Sequence, residues 1–274
     1  MKVVLFCGGQ GLRIRDYSET IPKPMVPIGQ QPILWHLMKY YAHFGHKDFI
    51  LCLGWKGHVI REYFLNHNEC LSNDFVLRTN GRKVELLQRD IDDWTITFVD
   101  TGQTANIGQR FKAVEKYLEG EEMFLANYTD VLTDVNLPDL VEFARRQRAT
   151  ATFLCVRTRQ SLHRVDVGLD GYVSRIESMD RSDIWINGGF FVMRREIFDY
   201  IGAGEELVVE PFSRLIAEAR LSAMKYEGFW GPMDTYKDKM FLDDIYARGE
   251  APWEVWRRQS HAPERSPLYA RIPS

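Results

Sequence analysis

A chain of 274 residues is long enough to bury a substantial core, as one large domain or two small ones. Its 45% hydrophobic and 27% charged content is that of a globular protein, and a net charge of -3 argues against a general nucleic-acid binder. The four cysteines, Cys7, Cys52, Cys70 and Cys155, form no C-x-x-C pair, so neither a zinc site nor a dithiol motif is supported and a reducing, cytoplasmic setting fits. The first residues lack the basic region and long apolar stretch of a signal peptide, and no apolar run approaches the ~20 residues that span a bilayer.

"KVVLFCGG" is apolar, partly β-branched and short, which predicts a buried strand ending at glycines. "PILWHLMKYYAHFG" predicts a helix, with Pro32 in its first turn, an apolar stripe of Ile33, Leu34, Leu37, Met38 and Tyr41, and Gly45 as its stop. The alternation continues with the strand "DFILCLG" and the helix "HVIREYFLNH". The segment at about 73–93 is polar and turn-rich, and reads as an excursion beside the sheet. Then come the strand "WTITFVDTG", the helix "GQRFKAVEKYLEG", the strand "EMFLANYTDV", the helix "LPDLVEFARRQRA" and the strand "TATFLCVR". From Gly168 the chain reads as short strands and helices, with "EPFSRLIAEARL" the clearest helix. Residues 1–256 are expected to form one α/β domain and 257–274 a tail, whose start Trp253 and Trp256 would anchor.

Strand–helix alternation implies right-handed βαβ crossovers and a Rossmann-like, mainly parallel sheet flanked by helices. Ligands of such sheets sit at the carboxyl ends of the strands. Gly8–Arg13, Gly102–Arg110 and Asp130 all fall at or after predicted strand ends. The first loop, "GGQGLRIRD", has no Lys where a P-loop needs one, and "GQGLRI" puts Ile14 where a dinucleotide fingerprint has its third glycine. What remains is a triphosphate cradle of another type. Small residues let backbone N–H groups face phosphate, Arg13 offers a planar fork, and Lys23 a compact charge restrained by Pro22 and Pro24.

"FCGGQGLRIRDYSETIPKPMVPIGQQPILWHLMKYY" resembles the signature of sugar-1-phosphate nucleotidyltransferases. "VDTG", "INGGFFV", "GFWGPMDT" and "APWEVW" extend the resemblance, specifically to glucose-1-phosphate cytidylyltransferases, as far as Trp256. The resemblance implies a glycosyltransferase-A-like nucleotidyltransferase fold and an Mg2+-dependent transfer from CTP to a sugar 1-phosphate. It implies nucleotide contacts from Phe6, Gly8, Gly9, Gln10, Gly11, Leu12 and Arg13, catalytic roles for Arg13 near the β and γ phosphates and for Lys23 at the transferring phosphate, and base contacts from Thr104, Gly108, Gln109 and Arg110. Asp130 and Asp234 would hold Mg2+, although 104 positions separate them and no spacing rule pairs them. Thr129, Glu177, Ser178, Asn187, Gly188 and Trp230 would face the acceptor. A homo-oligomer is implied as well; a nucleic-acid or membrane partner is not.

Four departures from the family's pattern are present. Leu12 replaces its Thr, Thr129 and Val131 replace the glycines around its metal carboxylate, Ser178 replaces its Lys, and "HRVDVG" stands where "RFG" is expected. Side chains at 129 and 131 would stand where backbone approaches substrate. Arg164, Arg175 or Arg181 are candidates to replace the missing cation. The acceptor is therefore glucose 1-phosphate, another sugar phosphate, or a different phosphate or phosphonate. A weakened homologue that only binds nucleotide is the alternative from another class, and a nicotinamide enzyme a distant third. On their own, "INGG" reads as a tight hairpin turn, Asp234 as a cap carboxylate, Trp55 as a core residue and His36 as a structural or surface histidine.

Overall fold

Short β-branched runs make the central strands, and their period of two sends alternate residues to opposite layers. The computed structural model describes residues 1–9, 21–71, 73–87, 89, 91, 93–157, 163–178 and 183–260. Strands β1 (Val3–Phe6), β2 (Asp48–Leu53), β3 (Thr95–Asp100) and β4 (Met123–Tyr128) are parallel, in the order β4-β1-β2-β3. The sheet continues past β4 through β5 (Ala151–Arg157), β6 (Trp185–Asn187), β7 (Phe191–Arg194) and β8 (Leu221–Tyr226). β7 lies antiparallel between β4 and β5, and β8 is parallel to β5 at the far edge. Val3, Leu5 and Leu51 face a layer holding α1 (Ile33–His43), α4 (Leu137–Gln147) and α6 (Tyr236–Ala247). Val4, Phe6 and Ile50 face the other, built from α3 (Ile107–Val114) and α5 (Glu210–Ala217); α2 (Gly57–Leu65) follows β2.

Three expectations change here. "EMFLANYTDV" is not one strand. β4 stops at Tyr128, and Val131–Thr133 leaves the sheet to pair antiparallel with Trp230–Pro232. "INGG" is not a hairpin turn. β6 and β7 both pair antiparallel with β5, Gly188 N–H donating to Leu154 O and Leu154 N–H to Gly189 O. Residues 188–190 are a bulge in one interrupted strand, which requires the positive φ of Gly189 (76°) and places Phe190 at 51°. The predicted stripe on α1 is too narrow. Trp35, His36, Tyr40 and Ala42 are buried too, because the chain's later segment closes over the helix.

That segment ends at Trp253, which is fully buried, packs 5.7 Å from Phe229 and donates from Nε1 to His36 Nδ1. Trp256 meets the edge of Trp35 at 6.1 Å. Residues 261–274, the bulk of the expected tail, lie outside the described residues. The excursion contains a two-stranded ribbon, Phe75–Arg78 with Lys83–Leu86, and a second ribbon pairs His163–Val167 with Val173–Ser178. Both ribbons are largely exposed.

Candidate active site

Asp130 sits in the gap between β4 and the strand that peels away from it. Its carbonyl accepts from Met233 N–H at 2.8 Å, continuing the antiparallel pairing of Val131 with Pro232. That ribbon brings Asp234 beside Asp130. Asp234 is not the helix cap. Thr235 caps α6 in a reciprocal capping box with Asp238, and Asp238 also accepts the Asp234 N–H at 3.1 Å. The Asp234 carboxylate is thereby left for another partner, and that partner is Lys23.

Lys23 opens a one-turn 3-10 segment, Lys23–Met25, after Pro22. Its Nζ donates to Asp130 Oδ2 at 2.6 Å and to Asp234 Oδ1 at 2.7 Å. Burial works against the ammonium charge, but the two carboxylates outweigh it and hold the Lys23 pKa above its ordinary value. Lys23 is charged throughout the physiological range.

Arg110 organises the strand ends. It is 3% exposed, and its Nη2 donates to Gly8 O (3.1 Å) while Nη1 donates to Leu53 O (3.3 Å) and Thr101 Oγ1 (2.6 Å). One guanidinium thus spans the carboxyl ends of β1, β2 and β3. Burial lowers its pKa from the usual guanidinium value. The crossing explains two glycines. A Cβ on Gly8 would lie 1.9 Å from Arg110 Nη1, and one on Gly54 2.9 Å from the same atom.

A cleft of about 230 Å3 opens over this framework, with Phe6, Gly9, Lys23, Arg110, Thr129 and Asp130 among its walls. Sequence reading missed Ala105, Asn106, Ile107, Tyr128 and Glu206, which also line it. Tyr128 could have been anticipated as the last residue of a strand. Glu206 carried no local signal; α3 brings it in, through Ile107 N–H donating to its carboxylate at 3.4 Å. Burial pushes the Tyr128 hydroxyl up to about 12, so it stays protonated.

The other expected nucleotide contacts have local tasks. Gln109 completes a capping box with Asn106. Gly108 packs so tightly that a Cβ would meet Glu205 O at 2.2 Å, and Thr104 is exposed. None of the three lines the cleft, and neither does Trp55, whose ring carries Lys56 Nζ at 4.5 Å. Gln10, Gly11, Leu12 and Arg13 lie outside the described residues, as do Met179 and Arg181.

On the acceptor side, the expected intrusion at positions 129 and 131 does not occur. Thr129 is 4% exposed with its hydroxyl turned back to donate to Phe6 O at 2.9 Å, and Val131 is in the core. Asn187 Oδ1 accepts from Gly189 N–H at 2.9 Å, and Trp230 Nε1 donates to Gly188 O at 2.9 Å. The bulge and the peeled-off ribbon are thereby joined. Glu177 and Ser178 stand on the 163–178 ribbon and do not line the cleft. Arg164 is held by Asp166 (2.9 Å) and Arg175 by Glu177 (3.2 Å).

The donor set fits a hard divalent cation. Two carboxylates on different segments aim at one point, at which the Lys23 ammonium offsets one of their two negative charges. Among the described residues no group of three or more His, Cys, Asp or Glu side chains is placed to hold a metal. This leaves a two-carboxylate arrangement of the kind Mg2+ uses with water and substrate phosphates.

Residues 2–169 match the family described as nucleotidyl transferase. The glucose-1-phosphate cytidylyltransferase of Salmonella typhimurium is 36% identical over 258 residues, 93% of this chain and 100% of the relative. A Bacillus subtilis protein named "Probable glucose-1-phosphate cytidylyltransferase" is 35% identical with the same coverage. Among solved structures, UDP-glucose pyrophosphorylase complexed with UDP-glucose superposes with a TM-score of 0.66 at 15% identity, over 90% of this chain and 98% of that one. HddC from Yersinia pseudotuberculosis gives 0.64 at 18%, over 89% and 99%. At such identities the structural likeness speaks for the fold alone.

Proposed function

This chain belongs to the nucleotidyl transferase family, and from that premise we propose that it transfers the cytidylyl group of CTP to a sugar 1-phosphate, glucose 1-phosphate or a close relative. The observation that carries this reading is the convergence of Lys23, Asp130 and Asp234 at the carboxyl end of the sheet. A pure nucleotide binder has little need for two carboxylates and a charged lysine at one point.

An oxygen of the acceptor phosphate attacks the α-phosphorus of CTP in line. The new P–O bond forms as the bond to the β-phosphate's bridging oxygen breaks, and pyrophosphate leaves with the electron pair. Little covalent work falls to the protein, whose tasks are positioning and charge stabilisation. Lys23 supplies a compact charge at the reacting phosphate. Arg13 grips the departing phosphates. Asp130 and Asp234 would hold Mg2+, which when bound neutralises phosphate oxygens and aligns them. Arg110 fixes the start of the glycine loop through Gly8 O. The base lies against Phe6, Asn106, Ile107 and Tyr128, which line one cleft.

One observation favours a second reading of the acceptor. Ser178 is neutral, and Arg164 and Arg175 are each held by a neighbouring carboxylate. An acceptor whose phosphate or phosphonate needs no cation from that ribbon would fit. A screen of the four NTPs with Mg2+ against phosphorylated acceptors, reading pyrophosphate release, tests both readings. CTP with glucose 1-phosphate should release pyrophosphate fastest; CTP active only with another acceptor selects the second reading; CTP binding without release anywhere would leave a nucleotide-binding homologue.

The apolar faces of the ribbons, Val165 and Ile176 among them, suit contact with a second copy in a homo-oligomer. Light scattering tests that. No helix among the described residues is long and apolar enough to cross a membrane.

A further inference from the structure

Glu206 enters the wall of the Lys23 cleft from the segment between β7 and α5, and that segment is pinned to α3. Asn106 Nδ2 donates to Gly204 O at 2.9 Å, and a Cβ on Gly108 would lie 2.2 Å from Glu205 O, so the two backbones pack without slack. Glu206 N–H donates to Glu210 Oε2 at 3.1 Å, and the neighbouring Leu207 is fully buried. The Glu206 carboxylate accepts from Leu207 N–H at 3.1 Å through Oε1 and from Ile107 N–H at 3.4 Å through Oε2. α3 does not need it as a cap, because Asn106 and Gln109 already close a reciprocal capping box there. Two N–H groups fill only half of the roughly four acceptor positions of a carboxylate.

Asp130, the other carboxylate on the wall, is held by Lys23. A second carboxylate repels phosphate, so the part of a nucleotide that suits it is the base, and a base edge that donates. Phe6 and Tyr128, with ring centroids 6.1 Å apart, give the same cleft an aromatic wall for a planar ring. Cytosine carries an exocyclic amine at the ring position where uracil and thymine carry a carbonyl oxygen. We propose that Glu206 sets the choice of pyrimidine, its carboxylate accepting from the exocyclic amine of cytosine and rejecting the oxygen of uracil or thymine. The inference deepens the cytidylyl-transfer reading and rests on its placement of the base in this cleft.

Isothermal calorimetry with Mg2+ and no acceptor reads base preference apart from turnover. Wild-type protein should bind CTP about tenfold or more tighter than UTP, and tighter by a similar factor than the CTP analogue that lacks the 4-amino group. Glu206→Gln keeps the side chain's length and can turn an amide N–H2 toward the uracil oxygen, so it should cut the CTP-to-UTP affinity ratio by about tenfold or more. A purely structural role at the start of α3 would weaken both nucleotides by the same factor and leave the ratio unchanged, and that result would overturn the proposal. So would wild-type protein that binds UTP or the analogue as tightly as CTP, or binds none of the three; this arm decides the question if the variant does not fold. A preference that follows Glu206 in a protein releasing no pyrophosphate with any acceptor would strike the transfer reading alone. Pyrophosphate release with an unchanged ratio would strike this inference alone.

Discussion

Lys23 has two carboxylate partners drawn from distant parts of the chain, and the account of catalysis turns on them. Asp130→Asn and Asp234→Asn should each lower turnover by about 10²-fold or more, read as pyrophosphate release. The fold should survive both, since Thr235 and Asp238, not Asp234, cap α6; near-ultraviolet circular dichroism checks that. The sequence alone would have assigned Asp234 to a cap, because a carboxylate one residue before Thr and four before Asp looks like one. His36 makes a different prediction. It is fully buried, accepts from Trp253 at Nδ1 and donates from Nε2 to Ile28 O, and burial lowers its pKa to about 4. The folded value lies below the unfolded one, so its neutral form supports stability above about pH 6.5. That support, up to about 3 kcal/mol, is lost as pH falls toward 4. Denaturant titrations at pH 7 and pH 4.5 should show a smaller acid loss in His36→Gln than in wild type.

Elements, not single residues, deliver those side chains. β1 to β4 and the helices between them were legible because each is a short apolar run or a periodic stripe bounded by glycine or proline. The break after Tyr128 was not, since "ANYTDVLT" has the same alternation on both sides of it. Its partner, Trp230–Pro232, is about a hundred residues away, and no local pattern reports such pairing. The bulge at 188–190 misled for a related reason, because paired glycines favour both tight turns and bulges. The strand ends themselves depend on the Arg110 crossing. Gly8→Ala would drive a methyl into that guanidinium, costing about 1–3 kcal/mol of stability. It should also raise the KM for CTP, because Arg110, which Gly8 O holds, lines the cleft. A melting curve and a CTP titration check both effects; unchanged values in both would mean the crossing neither supports the strand ends nor shapes the cleft.

At the scale of the whole molecule, a mainly parallel sheet presents its carboxyl ends to one cleft, as strand–helix alternation predicted. Of the expected nucleotide contacts, Phe6, Gly9 and Arg110 line that cleft and Thr104, Gly108 and Gln109 do not, while the expected acceptor residues Glu177 and Ser178 stand on a ribbon whose exposed strands leave little periodic signal. Thr129 and Val131 turn inward, so the difference from the family that matters for the acceptor narrows to the ribbon and Ser178. Ser178→Lys should raise the rate with glucose 1-phosphate if that sugar is the acceptor; a steady-state comparison in which the rate falls would favour a different one. The most direct measurement follows the α-phosphate. Wild-type protein, Mg2+, glucose 1-phosphate and α-32P-labelled CTP should place the label in a nucleotide-sugar product and leave the released pyrophosphate unlabelled, and Asp130→Asn should form neither. Label that stays in CTP, or product formed equally well by Asp130→Asn, would contradict the account.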